Sequence, residues 1–203
     1  MLNGWIILGV IIWLYGLSVL KRGQLTGFYF WWGSAGLFII LAFIFRPYFV
    51  WLISDLLTNT VGIFAHITHW FTVYPISNYI QINTGNRTSV QLFVDYECSG
   101  VIEMLAYLSL VAFYPLYNRQ EKILAGTGGA LWIFAANIIR LMVIIMIVKA
   151  FGPSAIFWAH SVIGRLLFYS LVIVLYYSVF TQPRIVEKMN QRILGEAQDA
   201  TNG

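Results

Sequence analysis

Long apolar runs alternate with short polar segments along most of the chain, and several runs have the length of a membrane-spanning helix. A helix needs about 20 predominantly apolar residues to cross the hydrocarbon core of a bilayer. The runs that meet this length predict five transmembrane helices, over residues 2–20, 27–45, 100–117, 123–148 and 161–180.

Residues 49–71 follow a two-sided pattern. Apolar residues recur at helical spacing on one face, and Asp55, Thr58, Asn59, His66 and His69 lie on the other. This favours an interfacial helix on the outer side, although the length would also permit a crossing. The two histidines are three residues apart and could share a metal ion, but no third ligand is evident. A solvated face is therefore the favoured interpretation.

The only sizeable polar stretch before the carboxyl-terminal tail is residues 74–97. Residues 83–86 read as a turn, and residues 88–94 partly alternate between polar and apolar side chains, as in a short strand. The overall prediction is an all-α integral membrane protein. It comprises a bundle of about five transmembrane helices, an outer interfacial helix and a short extracytoplasmic strand-like stretch.

The amino-acid composition also distinguishes a membrane protein from a soluble one. The chain is 60% hydrophobic and only 10% charged, and its mean hydropathy is +0.77. These values lie outside the range of soluble domains, so lipid must serve as solvent. A single cysteine excludes internal disulfides and multi-cysteine metal clusters. No basic and aromatic patch suggests nucleic acid. We predict one transmembrane domain over residues 1–181, and a basic cytoplasmic tail over residues 182–203 that is disordered at its end.

The distribution of basic residues predicts the orientation. If residues 49–71 stay on the surface, seven basic residues share one side of the membrane: Lys21, Arg22, Arg119, Lys122, Arg184, Lys188 and Arg192. Only Arg46, Arg87 and Lys149 lie on the other side. The positive-inside rule makes the first side cytoplasmic. The amino terminus and Cys98 are then extracytoplasmic.

This topology brings three reactive or ionisable residues to the same depth in the bilayer. Cys98 opens the third span and His160 opens the fifth, both at the outer face. Arg140 lies roughly 13 Å below the outer end of the fourth span. An arginine inside a span must face protein or a wet cavity. The three residues together suggest a thiol nucleophile with a base and a cation.

Supporting residues surround this cluster in the sequence. Asn137 shares a helical face with Arg140 and can orient the guanidinium or a substrate carbonyl. Arg165 is a second cation within a predicted span, and Glu97 and Glu103 are nearby anions that could pair with either arginine. Each residue also has a structural interpretation: a lone membrane cysteine often fills apolar space, and Arg140 could simply pair with Glu103.

The same residues resemble the exosortase/archaeosortase family of multi-pass membrane transpeptidases. Three short motifs carry the resemblance over roughly residues 90–175: Cys98-Ser99-Gly100, Asn137-x-x-Arg140, and His160 opening a later span. The short chain looks most like the exosortase G type of Gram-positive bacteria. Longer members have about eight spans. Arg165 would be either the family's second arginine or a contact for the substrate's tail.

The resemblance implies a cysteine peptidase or transpeptidase that uses no metal or cofactor. Cys98 would attack a carbonyl near the carboxyl-terminal sorting signal of a secreted protein, and the thioester would pass to a surface acceptor. His160 would act as acid and base, and Arg140 would stabilise the oxyanion. Two other classes remain open. A non-enzymatic membrane subunit of polysaccharide assembly or export explains the scaffold but not the cluster. A transporter would use the arginines to bind substrate, although no polar path lines the inner half of any span.

Overall fold

The computed structural model describes residues 4–74, 79–84, 89–94 and 96–182. This part of the chain is mostly helical. The α-helices are α1 (Gly4–Arg22), α2 (Thr26–Thr68), α3 (Tyr96–Ser99), α4 (Val101–Phe113), α5 (Arg119–Phe151) and α6 (Gly164–Tyr176). A 3₁₀ turn (Pro153–Ala155) and a π-helical segment (Trp158–Ile163) precede α6, and a second π-helical segment (Tyr177–Thr181) follows it. The strands are β1 (Phe71–Tyr74), β2 (Tyr79–Asn83) and β3 (Ser89–Phe93).

Four helical segments among the described residues are long and apolar enough to cross a membrane: Thr26–Ile44, Tyr48–Thr68, Arg119–Phe151 and Pro153–Thr181. Many large apolar side chains on the bundle surface are exposed. Contact with lipid chains is favourable for such an apolar surface, whereas contact with water is not. These features confirm the predicted class, an all-α polytopic membrane protein.

The second predicted span, residues 27–45, does not end where expected, before Arg46 and Pro47. Helix α2 continues through both positions, and its 43 residues make it about 64 Å long, against about 30 Å for the hydrocarbon core. Proline is tolerated within membrane helices because local adjustments re-satisfy the freed backbone carbonyl. The segment predicted as an interfacial helix is therefore the second half of α2 rather than a separate element, and its length and composition suffice to cross a membrane.

The exposed face of this second half is the apolar face that the sequence indicated. Leu52, Ile63 and Ile67 are all more than half exposed, so they are available to lipid. One predicted polar position was wrong, since Thr58 is fully buried. Its hydroxyl donates to the carbonyl of Ser54 one turn earlier, which satisfies a polar group that packing removes from solvent.

The third predicted span is shorter than expected. Helix α4 has 13 residues, or about 20 Å, and it does not reach the predicted start at Gly100. Gly100 adopts a φ of +71°, a conformation that side chains disfavour. It interrupts the helix, so that a single helical turn, α3, comes before Gly100 and α4 comes after it. Cys98 thus precedes the span on its own short helical turn.

Helix α5 begins at Arg119, earlier than the predicted Ile123. A capping box explains the start: the side chain of Asn118 accepts from the backbone of Glu121, and the side chain of Glu121 accepts from the backbone of Asn118. These bonds satisfy amides that have no partner within the helix. Helices α4 and α5 approach closely at Gly129, because a Cβ there would lie 2.1 Å from the ring of Tyr107.

The fifth predicted span also begins earlier. Its helical run starts with the 3₁₀ turn at Pro153, so His160 lies inside the run and not at its opening. Proline favours the first turn of a helix, where its missing N–H is not needed. Gly152, with a φ of +83°, makes the break from α5.

The strands form one antiparallel sheet in the order β1-β2-β3. The prediction of a strand near residues 88–94 is confirmed by β3, whereas β1 and β2 were not predicted. Residues 85–86 of the predicted turn lie outside the described residues. One face of the sheet is buried in a core shared with the last turns of α2 and α5. Lys149 of α5 donates to the carbonyl of Asn83, which fixes the sheet at that end of the bundle.

The opposite end of the bundle carries the basic residues that close α1 and open α5, and we call it the basic end. Tyr114 and Tyr117 donate to the carbonyls of Phe180 and Val179, and Lys122 donates to the carbonyl of Ala112. These bonds hold the end of α4, the start of α5 and the end of the last helical run at one level. A second apolar core fills the space between these helices.

Candidate active site

Cys98 lies at the junction between the sheet and the helical bundle. It is 4% exposed and belongs to the core beneath the sheet. The side-chain Nδ2 of Asn137 on α5 donates to the backbone carbonyl of Cys98 over 2.6 Å. Gly100 faces the same amide, since a Cβ there would lie 3.4 Å from Asn137 Nδ2. The thiol is therefore carried on a turn that α5 holds by its backbone.

The imidazole of His160 reaches the thiol from the last helical run. The distance from Cys98 Sγ is 3.6 Å to Nε2 and 3.9 Å to Nδ1, within range for a sulfur hydrogen bond. His160 is half-buried and lies in the π-helical segment. Such π-bulges are rare and occur often at functional sites.

Gly164 allows this segment to pack closely on α5. A Cβ at this position would lie 2.9 Å from both the Ala159 carbonyl and the Ile144 side chain. The wider π turn and the missing side chain together set the height and rotation of His160 relative to Cys98.

Arg140 follows Asn137 by one turn of α5 and is 4% exposed. Its guanidinium carbon lies 5.6 Å from the centre of the Phe168 ring on α6, a cation–π contact that helps to keep a charge away from water. Because residues three apart share a helical face, Arg140 lies on the face of α5 that holds Cys98. A permanent positive charge is thus buried one helical turn from the residue that holds the Cys98 backbone.

The depth of the site follows from helix rise. Measured from Lys122 at the basic end, Asn137 is roughly 22 Å along α5 and Arg140 is roughly 27 Å along it. His160 is roughly 30 Å from Phe180 by the same measure. A hydrocarbon core about 30 Å thick that starts at the basic end would therefore end close to this site. The convergence of the three residues at one depth in the bilayer stays a prediction, and the helix lengths are compatible with it.

The structure does not gather all of the predicted supporting residues around the thiol. Arg165 was expected to be buried, but it is exposed on α6, directly after the π-helical segment. Glu103 is half-buried on α4 and forms no ion pair within the described part of the chain, so pairing with Arg140 is not observed. Glu97 belongs to α3, and its side chain lies outside what the structure describes.

The two histidines near the end of α2 lie apart from Cys98. His66 and His69 line an open groove of about 460 Å³ between α2 and β1, away from the thiol. Among the described residues, no group of three His, Cys, Asp or Glu side chains could hold a metal ion.

Sequence reasoning missed two parts of the site. The bond from Asn137 to the Cys98 backbone joins residues 39 positions apart, and nothing in the spacing reveals it. The π-helical segment has one visible signal, the glycine at position 164, but a glycine alone does not predict a π turn.

A buried thiol beside an imidazole, with a guanidinium one helical turn from the residue that holds the thiol, can carry out nucleophilic acyl transfer. The sequence matches the family model described as Transmembrane exosortase (Exosortase_EpsH) over residues 2–177. No curated protein and no solved structure matches the chain. The family match spans most of the 203 residues and all three of these positions, and we conclude that the chain belongs to the transmembrane exosortase family.

Proposed function

We propose that this protein is a membrane-embedded cysteine transpeptidase that cleaves the carboxyl-terminal sorting signal of secreted proteins. The observation that carries the proposal is the 3.6 Å approach of His160 Nε2 to Cys98 Sγ. The two residues come from elements 62 positions apart and meet in a buried place. Membership of a family known for cysteine transpeptidase activity supports the same chemistry.

In the first step, the sulfur of Cys98 forms a bond to the carbonyl carbon of the scissile peptide, and His160 takes the thiol proton. Collapse of the tetrahedral intermediate breaks the C–N bond, and His160 passes the proton to the departing amine. An acceptor amine then attacks the thioester, the S–C bond breaks, and the proton lost by the acceptor returns to the thiol through His160. Water in place of the acceptor would give hydrolysis.

Arg140 is suited to the negative charge that develops on the carbonyl oxygen. A guanidinium stays protonated and offers several donors in one plane. Its burial keeps bulk water away, and this strengthens its effect on a nearby oxyanion. Asn137 donates through Nδ2 to the Cys98 backbone, so its role is to hold the nucleophile.

The basic end of the bundle would face the cytoplasm by the positive-inside rule, which puts the sheet and Cys98 at the outer surface. A secreted substrate anchored by one carboxyl-terminal apolar span would then present its cleavage site at this depth. A membrane-impermeant maleimide tests the orientation, because Cys98 is the only thiol. Labelling in intact cells supports it, and labelling only after permeabilisation contradicts it.

The function itself is tested by substrate processing in cells that carry Cys98→Ala. The proposal predicts that a secreted protein with an uncleaved carboxyl-terminal span accumulates, and that Cys98→Ser is almost as defective because a hydroxyl ionises far less readily than a thiol. Normal maturation of every secreted protein in Cys98→Ala cells would instead favour a non-enzymatic membrane subunit.

A further inference from the structure

The two edges of the sheet are covered unequally. Strand β1 packs against α2, whereas only β2 makes extensive contacts with β3 among the described elements. Natural proteins usually protect an exposed edge with lysine, proline or a bulge. Strand β3 has none of these; its sequence, Ser-Val-Gln-Leu-Phe, is well suited to pairing. Within the described part of the chain, this edge, which we call the free edge, is therefore open to pairing with another strand.

The backbone groups that face this edge can be identified from the ladder. The N–H of Asn83 donates to the carbonyl of Trp70, so Asn83 points toward the β1 side of β2. Successive residues of a strand alternate in direction, so Ile80 and Ile82 point toward β3 and bond their partners, Leu92 and Val90. The remaining residues of β3 direct their N–H and C=O groups to the free edge: Ser89, Gln91 and Phe93.

The free edge leads directly to the nucleophile. From Phe93 to Cys98 the chain covers at most about 14 Å, counting about 3.5 Å per extended residue to α3 and about 1.5 Å per residue within it. That distance equals about four residues of an extended peptide. A strand paired with β3 would reach the thiol without a long connection.

The direction of β3 also fits a membrane-anchored substrate. Ser89 pairs with Asn83, which accepts from Lys149 near the end of α5. The Cys98 backbone is bound by Asn137, about 18 Å nearer the basic end. The chain from β3 to Cys98 therefore descends into the bundle. A substrate that runs from an outer domain into an apolar span must descend in the same direction.

We propose that the free edge of β3 binds the extended segment of the substrate that precedes the scissile bond, as a parallel fourth strand. This strand-pairing proposal rests on the proposed transpeptidase function, and it explains how that site recognises its substrate. The main-chain groups of Gln91 and Phe93 supply the hydrogen bonds. Recognition through the backbone tolerates varied side chains, and residues about four or more positions before the cleaved bond pair with β3.

Photocrosslinking tests this placement. The photoreactive residue p-benzoylphenylalanine replaces Phe93, which is 59% exposed, in a Cys98→Ala background that leaves the substrate uncleaved. The matched control carries the same residue in place of Tyr74, which lies in the same cross-strand row on the same exposed face but on β1. Strands are about 4.8 Å apart, so the control is about 10 Å farther from the added strand.

The expected product joins position 93 to a segment within about ten residues before a carboxyl-terminal apolar span, with little product from position 74. A crosslink to a second copy of this chain would overturn the proposal, because the edge would then be a dimer interface. Equal crosslinking from both positions would also overturn it. If substrate accumulates uncleaved but does not crosslink at position 93, the edge proposal fails while the transpeptidase stands. If no substrate accumulates, both fail.

A kinetic comparison gives an independent measurement. Gln91→Pro removes one N–H from the free edge and keeps the ladder to β2, so KM for the accumulated substrate should rise by about twofold to tenfold with kcat little changed. Gln91→Ala retains the N–H, and the difference between the two variants isolates the hydrogen bond. A KM in Gln91→Pro equal to that of Gln91→Ala would refute strand pairing at this edge.

Discussion

Removing the amide of Asn137 should loosen the nucleophile without touching its sulfur. Asn137 is fully buried, and its Nδ2 donates to the carbonyl of Cys98 over 2.6 Å. In Asn137→Ala, that carbonyl loses its donor, and an unsatisfied buried acceptor costs about 1–3 kcal/mol. The turn that carries Cys98 would reorient to recover a partner. If this whole free energy is lost from stabilisation of the transition state, kcat/KM should drop by about fivefold to 150-fold.

The assay measures cleavage of the substrate together with the rate at which the Cys98 thiol is alkylated. Because the chain has one cysteine, the rate of alkylation by a small maleimide in detergent reports on Cys98 alone. Asn137→Ala should change that rate along with kcat, since the turn moves relative to His160. A thermal melt of the same sample shows whether the fold is retained.

Asn137→Asp separates hydrogen bonding from packing. Aspartate has nearly the same shape, but its carboxylate would place an acceptor against the Cys98 carbonyl, so this variant should be worse than Asn137→Ala. Wild-type processing in Asn137→Asp would refute the bond as described. An equal loss in both variants, with an unchanged alkylation rate, would mean that Asn137 acts on the substrate and not on the nucleophile.

Two further changes test the scaffold and the cation. Gly129→Ala should lower stability by about 1–3 kcal/mol because its Cβ would overlap a buried aromatic ring of α4, whereas Gly128→Ala, which meets no atom within 4 Å, is the control; equal melting temperatures would contradict the packing. Arg140→Lys keeps the charge but loses the planar set of donors, so processing should fall severely while the protein still inserts. Full activity of Arg140→Lys would mean that a point charge is sufficient.

The sequence predicted the class of the fold, and it singled out Cys98 and His160, which the structure brings within 3.6 Å of each other. Apolar runs of membrane length and the cost of a buried arginine both have direct physical causes that a single sequence displays. The predicted topology then placed Cys98, Arg140 and His160 at one depth in the bilayer. The distance between the Cys98 thiol and the His160 imidazole could be obtained only from the structure.

The errors have a common origin in local signals that tertiary packing overrides. Arg46 and Pro47 read as a helix end, yet α2 continues because a membrane helix can absorb a proline. Arg165 was expected to face the interior, but it is exposed, directly after the π-helical segment. Neither outcome is visible from spacing, because spacing assumes 3.6 residues per turn.

The sheet was predicted only in part for a similar reason. Strand β3 partly alternates between polar and apolar side chains, whereas β1 begins at Phe71, the last residue of the predicted helix, and shows no such alternation of its own. Pairing partners decide such short strands more than their own composition does.

The most direct measurement is the search for a covalent thioester on Cys98. The purified protein is incubated with the accumulated substrate while acceptor amines are scarce, and the Cys98 peptide is analysed by mass spectrometry before and after hydroxylamine. We predict a hydroxylamine-sensitive adduct that carries the amino-terminal part of the substrate, formed about 10²–10⁴-fold more slowly in His160→Ala. Cleavage of the substrate at a normal rate by Cys98→Ala, with no adduct on the wild-type protein, would contradict nucleophilic catalysis by this thiol.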